Sequence, residues 1–585
     1  MNAGRKVGAI MRESRIFVVA LAVAAVAMWA HAPCLQGGFL SGMDDDVYLA
    51  AAKHYGGLTA AGAGWAVTET HPYYQPLPRL THLLAYSLWG ERPAGQHAVN
   101  LVLHAVNAAL STLLAWTLLG FCRPSVRATA ARTVAGIAEK AVWRNTILAG
   151  FVGLVFAVHP LQAESVAWLA GCTQLISALL TLGCVLAYVH AAATGHTGWR
   201  VVAGGLFAMA WLAKPIVATL PVVLLVLDWF PLRRHVTLGW RRLVREKLWM
   251  FVVSGGFTVV TLCSAADTTM VVGTQEHGLA LRMLVAERAV VFYLVKLVWP
   301  VWLSPFYPLS VKITLAQAEF FVPALVLTAA CLGVWWMRRR VPALVAAWLA
   351  YLALLLPVSG LAQFGGESVS NRHMYVAMLP LLLVGAGAVS WIWQRAAAVG
   401  RVGLVALVGA ALVYLTGRAR IEVRMWRDDE TLWRNVLRWY PDYDFANWMV
   451  AKAAVARRDF VTAHPCAELL AQIHPDDRDV CGLLGLVYLK TQQYGGAIQV
   501  LQPLVQADVW LPAARYNLAC AYARLGSNDA AIATLCELLP REPRFVGMAQ
   551  RDPELAGIRL DPRFAAAIPK PLPSANFGPQ RSGEQ

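Results

Sequence analysis

Charge is scarce in this sequence. Only 14% of its 585 residues are Asp, Glu, Lys or Arg, and 58% are hydrophobic. Soluble domains are about 25% charged, so a soluble enzyme is excluded. The mean hydropathy is +0.52, which makes lipid the solvent of most of the chain. None of the ten cysteines stands in a CxxC pair, so no zinc or redox motif is present. Bases clustered on a polar domain are also missing, and with them the footprint of a nucleic-acid-binding protein. A transporter would want mid-span charges and paired broken helices, and neither stands out.

The charge that exists is unevenly placed. Residues 421–585 hold 18 basic and 19 acidic residues, whereas residues 1–420 hold 32 and 15. The basic excess therefore lies between the apolar runs, as the positive-inside rule expects. About eleven runs are long enough to cross a bilayer, at 15–34, 97–120, 146–163, 168–191, 199–213, 215–231, 248–266, 320–337, 341–357, 373–393 and 402–418. Arg5, Lys6, Arg12 and Arg15 put the N-terminus in the cytosol. The run 284–304 contains Glu287, Arg288 and Lys296 and is read as interfacial or re-entrant. Residues 35–96, 267–319, 358–372 and everything after 418 then lie outside.

The tail repeats itself. GLLGLVYLKTQQYGGAIQVL at 482–501 aligns with YNLACAYARLGSNDAAIATL at 516–535, an offset of 34. Leu484 meets Leu518, Gly485 meets Ala519, Tyr488 meets Tyr522 and Ala497 meets Ala531. A period of 34 with small residues at helix contacts reads as tetratricopeptide repeats. The expected organisation is an all-α chain: a polytopic membrane bundle over 1–420, a repeat α-solenoid over 421–568, and a disordered tail over 569–585.

Chemistry-bearing residues collect on one face. Asp44, Asp45 and Asp46 are consecutive, and mutual repulsion raises a carboxylate pKa, as a general base or metal site needs. A solvated loop or a helix N-cap is the plainer reading. His71, Arg79 and His82 follow in HPYYQPLPRLTH, then His159 and Glu164, Lys214, and Glu367, Arg372 and His373. Each has a bland explanation alone: His159 precedes a proline, and Lys214 can snorkel. Together they set carboxylates, imidazoles and cations at one membrane surface.

FLSGMDDDVYLA, HPYYQPLPRLTHLLAYSLWG, VFAVHPLQAESVAWLAG, LAKPIVATLPVVLLVLDWFPL and ESVSNRHMY carry a resemblance. The chain resembles the transmembrane and tetratricopeptide-repeat family of C-type glycosyltransferases, which includes bacterial members and the eukaryotic O-mannosyltransferases. The resemblance implies a bacterial inner-membrane enzyme with its site and repeats on the periplasmic side. It implies transfer of a mannose-like hexose from a polyprenyl-phosphate donor to a hydroxyl, expected to be protein Ser/Thr. The family's acidic motif falls on Asp44 and Asp45. His71, Arg79, His82, His159, Glu164, Lys214, Glu367, Arg372 and His373 are the expected donor- and acceptor-binding residues. Lys214, Arg372 and His159 are the candidates for stabilising the departing phosphate. Asp45 with Glu164 offers oxygen ligands to Mg2+ or Mn2+, and nothing in the spacing requires a metal. The expected partners are the lipid-linked donor and a protein held in the repeat groove, with no nucleic acid. Two departures stand out. Cys172-Thr173-Gln174 replaces an Arg-Lys-Asp-like stretch, and Gln75 replaces His or Arg. If those charges are needed, the alternative is an inactive membrane-anchored repeat scaffold.

Overall fold

A computed structural model describes residues 2–70, 74–122, 131–266, 278–309, 314, 316–361, 366–507 and 509–568. His71 lies outside the described residues. The regular structure among the described residues is helical, with a single two-residue bridge between Pro308 and Glu367. The chain divides into two compact units, Met1–Val436 and Leu437–Gln585.

The first unit contains α1 (Asn2–His31), α2 (Asp45–Tyr55), α3 (Ala60–Thr68), α4 (Pro76–Trp89), α5 (Pro93–Phe121) and α6 (Ala131–Val158). It continues through α7 (Ala163–Ala167), α8 (Cys172–Thr194), α9 (Thr197–Trp211), α10 (Leu220–Trp229), α11 (Arg234–Leu238) and α12 (Trp240–Ala266). Then come α13 (Leu279–Val298), α14 (Ala318–Met337), α15 (Pro342–Leu355), α16 (Met374–Arg395) and α17 (Ala398–Met425). The short α18 (Asp429–Leu437) closes it.

Among the described residues, seven stretches are long and apolar enough to cross a bilayer: Ser14–Gln36, Pro93–Phe121, Glu139–Val158, Leu169–Thr194, Ala318–Met337, Asn371–Arg395 and Ala398–Arg424. This is the build of a multi-pass membrane protein. The remaining expected runs fall short for visible reasons. At 15 residues α9 extends about 22 Å, less than the ~30 Å hydrocarbon core. Pro215–Trp229 and Pro342–Val358 are apolar but short. The run at 248–266 is the second half of α12, whose first half carries three arginines, a glutamate and a lysine. The charged run at 284–304 is largely one continuous 20-residue helix, α13.

One polar stripe organises the bundle. His97, Asn100, His104, Asn107 and Ser111 recur at helical spacing on α5, and all are buried. Asn100 meets the stretch 159–171, where the chain breaks into 3-10 turns around α7 and frees backbone groups. Asn100 donates to Trp168 O (2.8 Å) and Leu169 O (3.2 Å). Asn107 donates to Leu175 O at 2.9 Å. Broken backbone at such depth persists because side chains satisfy it. The last turn of this unit returns to the first loop: Gly38 N donates to Arg427 O (2.8 Å) and Ser41 N to Asp429 Oδ1 (2.8 Å).

The second unit contains α19 (Asp444–Ala456), α20 (Phe460–Ile473), α21 (Arg478–Lys490), α22 (Tyr494–Gln506), α23 (Pro512–Arg524) and α24 (Asn528–Leu538). The first helices of successive pairs start at 444, 478 and 512, and the second ones at 460, 494 and 528. The turn residues Arg458, Gln492 and Gly526 share a left-handed φ at the same interval. Each helix packs on the next, and α21 also packs on α23. The cysteines are all unpaired. Gly485 marks the tightest crossing. A Cβ there would lie 2.4 Å from Leu501 Cγ and Cδ2 on α22. Gly485→Val is expected to destabilise this unit by about 1–3 kcal/mol through overpacking. Thermal unfolding of the solubilised full chain would show a lowered midpoint; an unchanged one would mean that Leu501 steps aside freely.

Candidate functional site

Four breaks in regular structure converge: the start of α2, the stretch 159–171, the α9 exit at Lys214, and the segment 366–373. The three aspartates part company there. Asp46 is exposed and accepts from Gly42 N and Val47 N, so it serves its own loop. Asp45 is 2% exposed and has both oxygens engaged, Oδ1 by Ala170 N (3.0 Å) and Oδ2 by Leu40 N (3.2 Å). It fastens the loop after α1 to the turn before α8. Burial pushes its carboxyl up to about 7 against the pull of those two N–H groups.

Asp44 is different. Its carboxylate caps no helix and has no hydrogen-bond or ion-pair partner among the described residues. It stays reachable from outside although set deep among protein groups. That depth raises its pKa, with Arg372 and then Lys214 pulling the other way. It is a reachable carboxylate in a field of two cations.

The cations are not equivalent. Arg372 ion-pairs with Glu164 and with Glu367 (2.8 Å) and lies 5.3 Å over the Trp168 ring. Its own N–H also donates to Glu164 (3.2 Å). Its charge is therefore largely matched. Among the described residues, the Lys214 ammonium donates to the neutral amide of Gln174 alone, at 3.1 Å. Burial, aided by Arg372, lowers its pKa to about 7 while Glu164, Asp44 and Glu367 hold it up. Lys214 is the cation with charge to spare.

The other expected residues frame this centre. His82 stacks on Tyr48 at 4.3 Å, and its Nε2 lies 3.1 Å from Cys172 Sγ. Burial lowers His82 to about 4, so it is a neutral ring. Arg79 donates to Glu69 O and packs over Trp65 at 5.3 Å, which anchors the first loop. His373 Nδ1 lies 3.2 Å from the Tyr293 hydroxyl, which in turn is bonded to Ser370.

His159 does not join them. Its Nδ1 accepts from Leu161 N (3.3 Å) and its Nε2 donates to Leu297 O (3.0 Å). One nitrogen must be bare and the other protonated, so the ring is neutral and serves as a cap. In this geometry both ring nitrogens are already engaged by backbone groups. Asp45 and Glu164 are likewise given to separate protein partners. Among the described residues no three His, Cys, Asp or Glu side chains gather as metal ligands. The pair does not fit a cation, and no step here runs through one.

Several participants do not stand out in the sequence as site residues: Tyr48, Trp168, Gln174 and Tyr293. Tyr48 lies one turn after Asp44, a signal that could have found it. In the sequence Gln174 marks only a lost charge. It is the partner that orients Lys214.

No family model matches the chain, and no solved structure matches it. Curated proteins do. The chain is 31% identical over 137 residues to Protein O-mannosyl-transferase TMTC1 of Homo sapiens, covering 23% of this chain and 13% of the relative. It is 33% identical over 133 residues to Protein O-mannosyl-transferase Tmtc3 of Drosophila melanogaster, covering 22% and 13%. It is 29% identical over 215 residues to Protein O-mannosyl-transferase TMTC4 of Homo sapiens, covering 34% and 27%. The matches therefore span about a quarter or less of those relatives' length.

Proposed function

We propose that this chain, similar in part to proteins named O-mannosyl-transferases, is a membrane glycosyltransferase. It moves a mannose-like hexose from a polyprenyl-phosphate donor to a hydroxyl, on a protein Ser or Thr. The observation that carries the proposal is the unpartnered Asp44 carboxylate beside a lysine held by a neutral amide. The family resemblance and the positive-inside count together favour the non-cytosolic face of a bacterial inner membrane. The 34-residue recurrence in the second unit supports tetratricopeptide repeats, whose concave groove would present the acceptor.

In the proposed step, Asp44 takes the proton of the acceptor hydroxyl as that oxygen attacks the anomeric carbon. The bond from that carbon to the phosphate oxygen breaks, and its electron pair leaves with the polyprenyl phosphate. Lys214 meets the charge gained by the phosphate, with Arg372 adding to the field. Asp45 acts as a positioning residue by holding the loop to Ala170. The pairing of Lys214 with Gln174 favours an active enzyme over an inactive scaffold, because the altered stretch 172–174 still supports the cation.

The test is transfer from radiolabelled polyprenyl-phosphate hexoses to Ser/Thr peptides in proteoliposomes. Label appearing in peptide is the expected result. Peptide binding without transfer from any hexose donor would support the scaffold instead.

The pH profile follows from the two ionisations. Asp44 must be deprotonated, and its raised pKa places the acid limb above the usual carboxylate range. Lys214 must be protonated, so kcat/KM should fall as pH rises through about 7. Lys214→Arg replaces it with a cation that stays charged. The alkaline limb should vanish in that variant even if the overall rate drops. An alkaline limb still centred near 7 would remove Lys214 from its role.

A further inference from the structure

A second cluster of buried charge lies at the other end of α8. Tyr188 is fourteen residues beyond Gln174, about 21 Å along the helix. Asp228, closing α10, is fully buried. It accepts from Lys247 Nζ (2.5 Å), Arg234 Nη1 (3.0 Å) and the Tyr188 hydroxyl (2.7 Å). Arg234 also donates to Glu246 at 2.9 Å. The network ties α8, α10, α11 and α12 together, and the proposed reaction uses none of it.

Beside the network is a cavity of about 260 Å³, lined among others by Arg200, Arg234, Lys247, Ala203 and Trp249. Three cations against Glu246 and Asp228 leave a charge of +1. Arg234 and Lys247 are matched by those carboxylates. Arg200 on α9 has no hydrogen bond or ion pair among the described residues.

The surroundings say what kind of anion fits. Residues 233–247 carry five arginines and one lysine against one glutamate, which marks a cytosolic edge. Trp199, Trp240 and Trp249 are 44%, 48% and 45% exposed, as in the aromatic belt at headgroup depth. Gly204 lets the Trp249 ring lie against α9, where a Cβ would stand 3.3 Å from it. Val201 and Val252 continue outward as exposed apolar surface on α9 and α12. A soluble anion would leave that surface unused, whereas an acyl chain would cover it.

We infer that this cavity binds the headgroup phosphate of an anionic phospholipid, with the Arg200 guanidinium as its free fork of donors and the acyl chains lying against α9 and α12. Arginine suits the task because its planar donors match phosphate oxygens in pairs. The site lies away from Asp44 and stands whether or not the transfer reaction does.

The test uses the purified, delipidated full chain and native mass spectrometry. Phosphatidylglycerol, phosphatidylcholine and inorganic phosphate are titrated separately. Wild type should retain phosphatidylglycerol in preference to phosphatidylcholine. Arg200→Gln, an exposed change, should weaken that binding roughly tenfold, the loss of one charge-assisted contact. Arg395→Gln, an arginine outside the cavity, should leave it unchanged. Equal retention of phosphatidylglycerol by wild type and Arg200→Gln would overturn the assignment. So would equal binding of the two lipids, or inorganic phosphate binding as tightly as phosphatidylglycerol.

Discussion

Asp44→Asn should lower kcat for hexose transfer by about 10²–10⁴-fold, the usual contribution of a positioned general base. Donor and acceptor KM should change little, because the amide keeps the size of the carboxylate and loses only its basicity. The fold should survive, since the Asp44 side chain holds no other group in place among the described residues. Asp45→Asn makes the contrast. Its amide would turn an N–H donor toward Leu40 N or Ala170 N, both of which now donate to the carboxylate. Leaving one such buried donor unmet costs about 1–3 kcal/mol. Asp45→Asn should therefore act mainly on stability, and Asp44→Asn on the chemical step. Single-turnover rates measured alongside thermal unfolding separate the two. A fully active Asp44→Asn enzyme would refute the assignment of the base.

The second large effect is on stability. Arg372→Ala removes the cation that faces Glu164, which is 1% exposed in its side chain. A buried charge stripped of its partner costs about 3–5 kcal/mol. Glu367 keeps Ser370 as a hydrogen-bond partner and should suffer less. The diagnostic is recovery. Adding Glu164→Gln to Arg372→Ala removes the orphaned charge and should restore much of the lost stability, a non-additive result expected for groups in contact. Strict additivity of the two changes in thermal unfolding would mean that the pair does not act as a unit. Transfer should stay impaired in the double variant, because the Arg372 share of the field around Asp44 is gone.

The outline of this molecule was legible in its sequence to an uneven depth. Apolar run length marks helices such as α5, α8 and α17, because hydrocarbon demands both length and continuity. It overstates α9 and the stretch 215–231, where the chain is apolar yet turns early at Lys214. The helix starts of the second unit follow the 34-residue offset closely, since each small residue marks a crossing that the packing enforces. The gathering of Asp44, Lys214, Glu164, Glu367 and Arg372 was visible as a set of polar residues at span ends. Their division of labour was not. Composition cannot distinguish Asp44 from Asp45, because the difference lies in two backbone N–H groups, one of them 125 residues away. Nor can it tell that His159 is held as a neutral cap by Leu297 O.

The Asp45–Ala170 clasp also sets a timetable. A ribosome adding about 5–20 residues each second reaches position 170 some seconds after position 45, and Arg372 later still, roughly 16–65 s after Asp44. Until position 170 is made, the aspartate loop lacks the Ala170 N–H that engages Asp45 in the folded chain. Of the charged groups that act on Asp44, Lys214 and then Glu367 and Arg372 are made long after it. On the proposed function, a nascent chain should therefore gain competence only once Arg372 has been made and the clasp has closed.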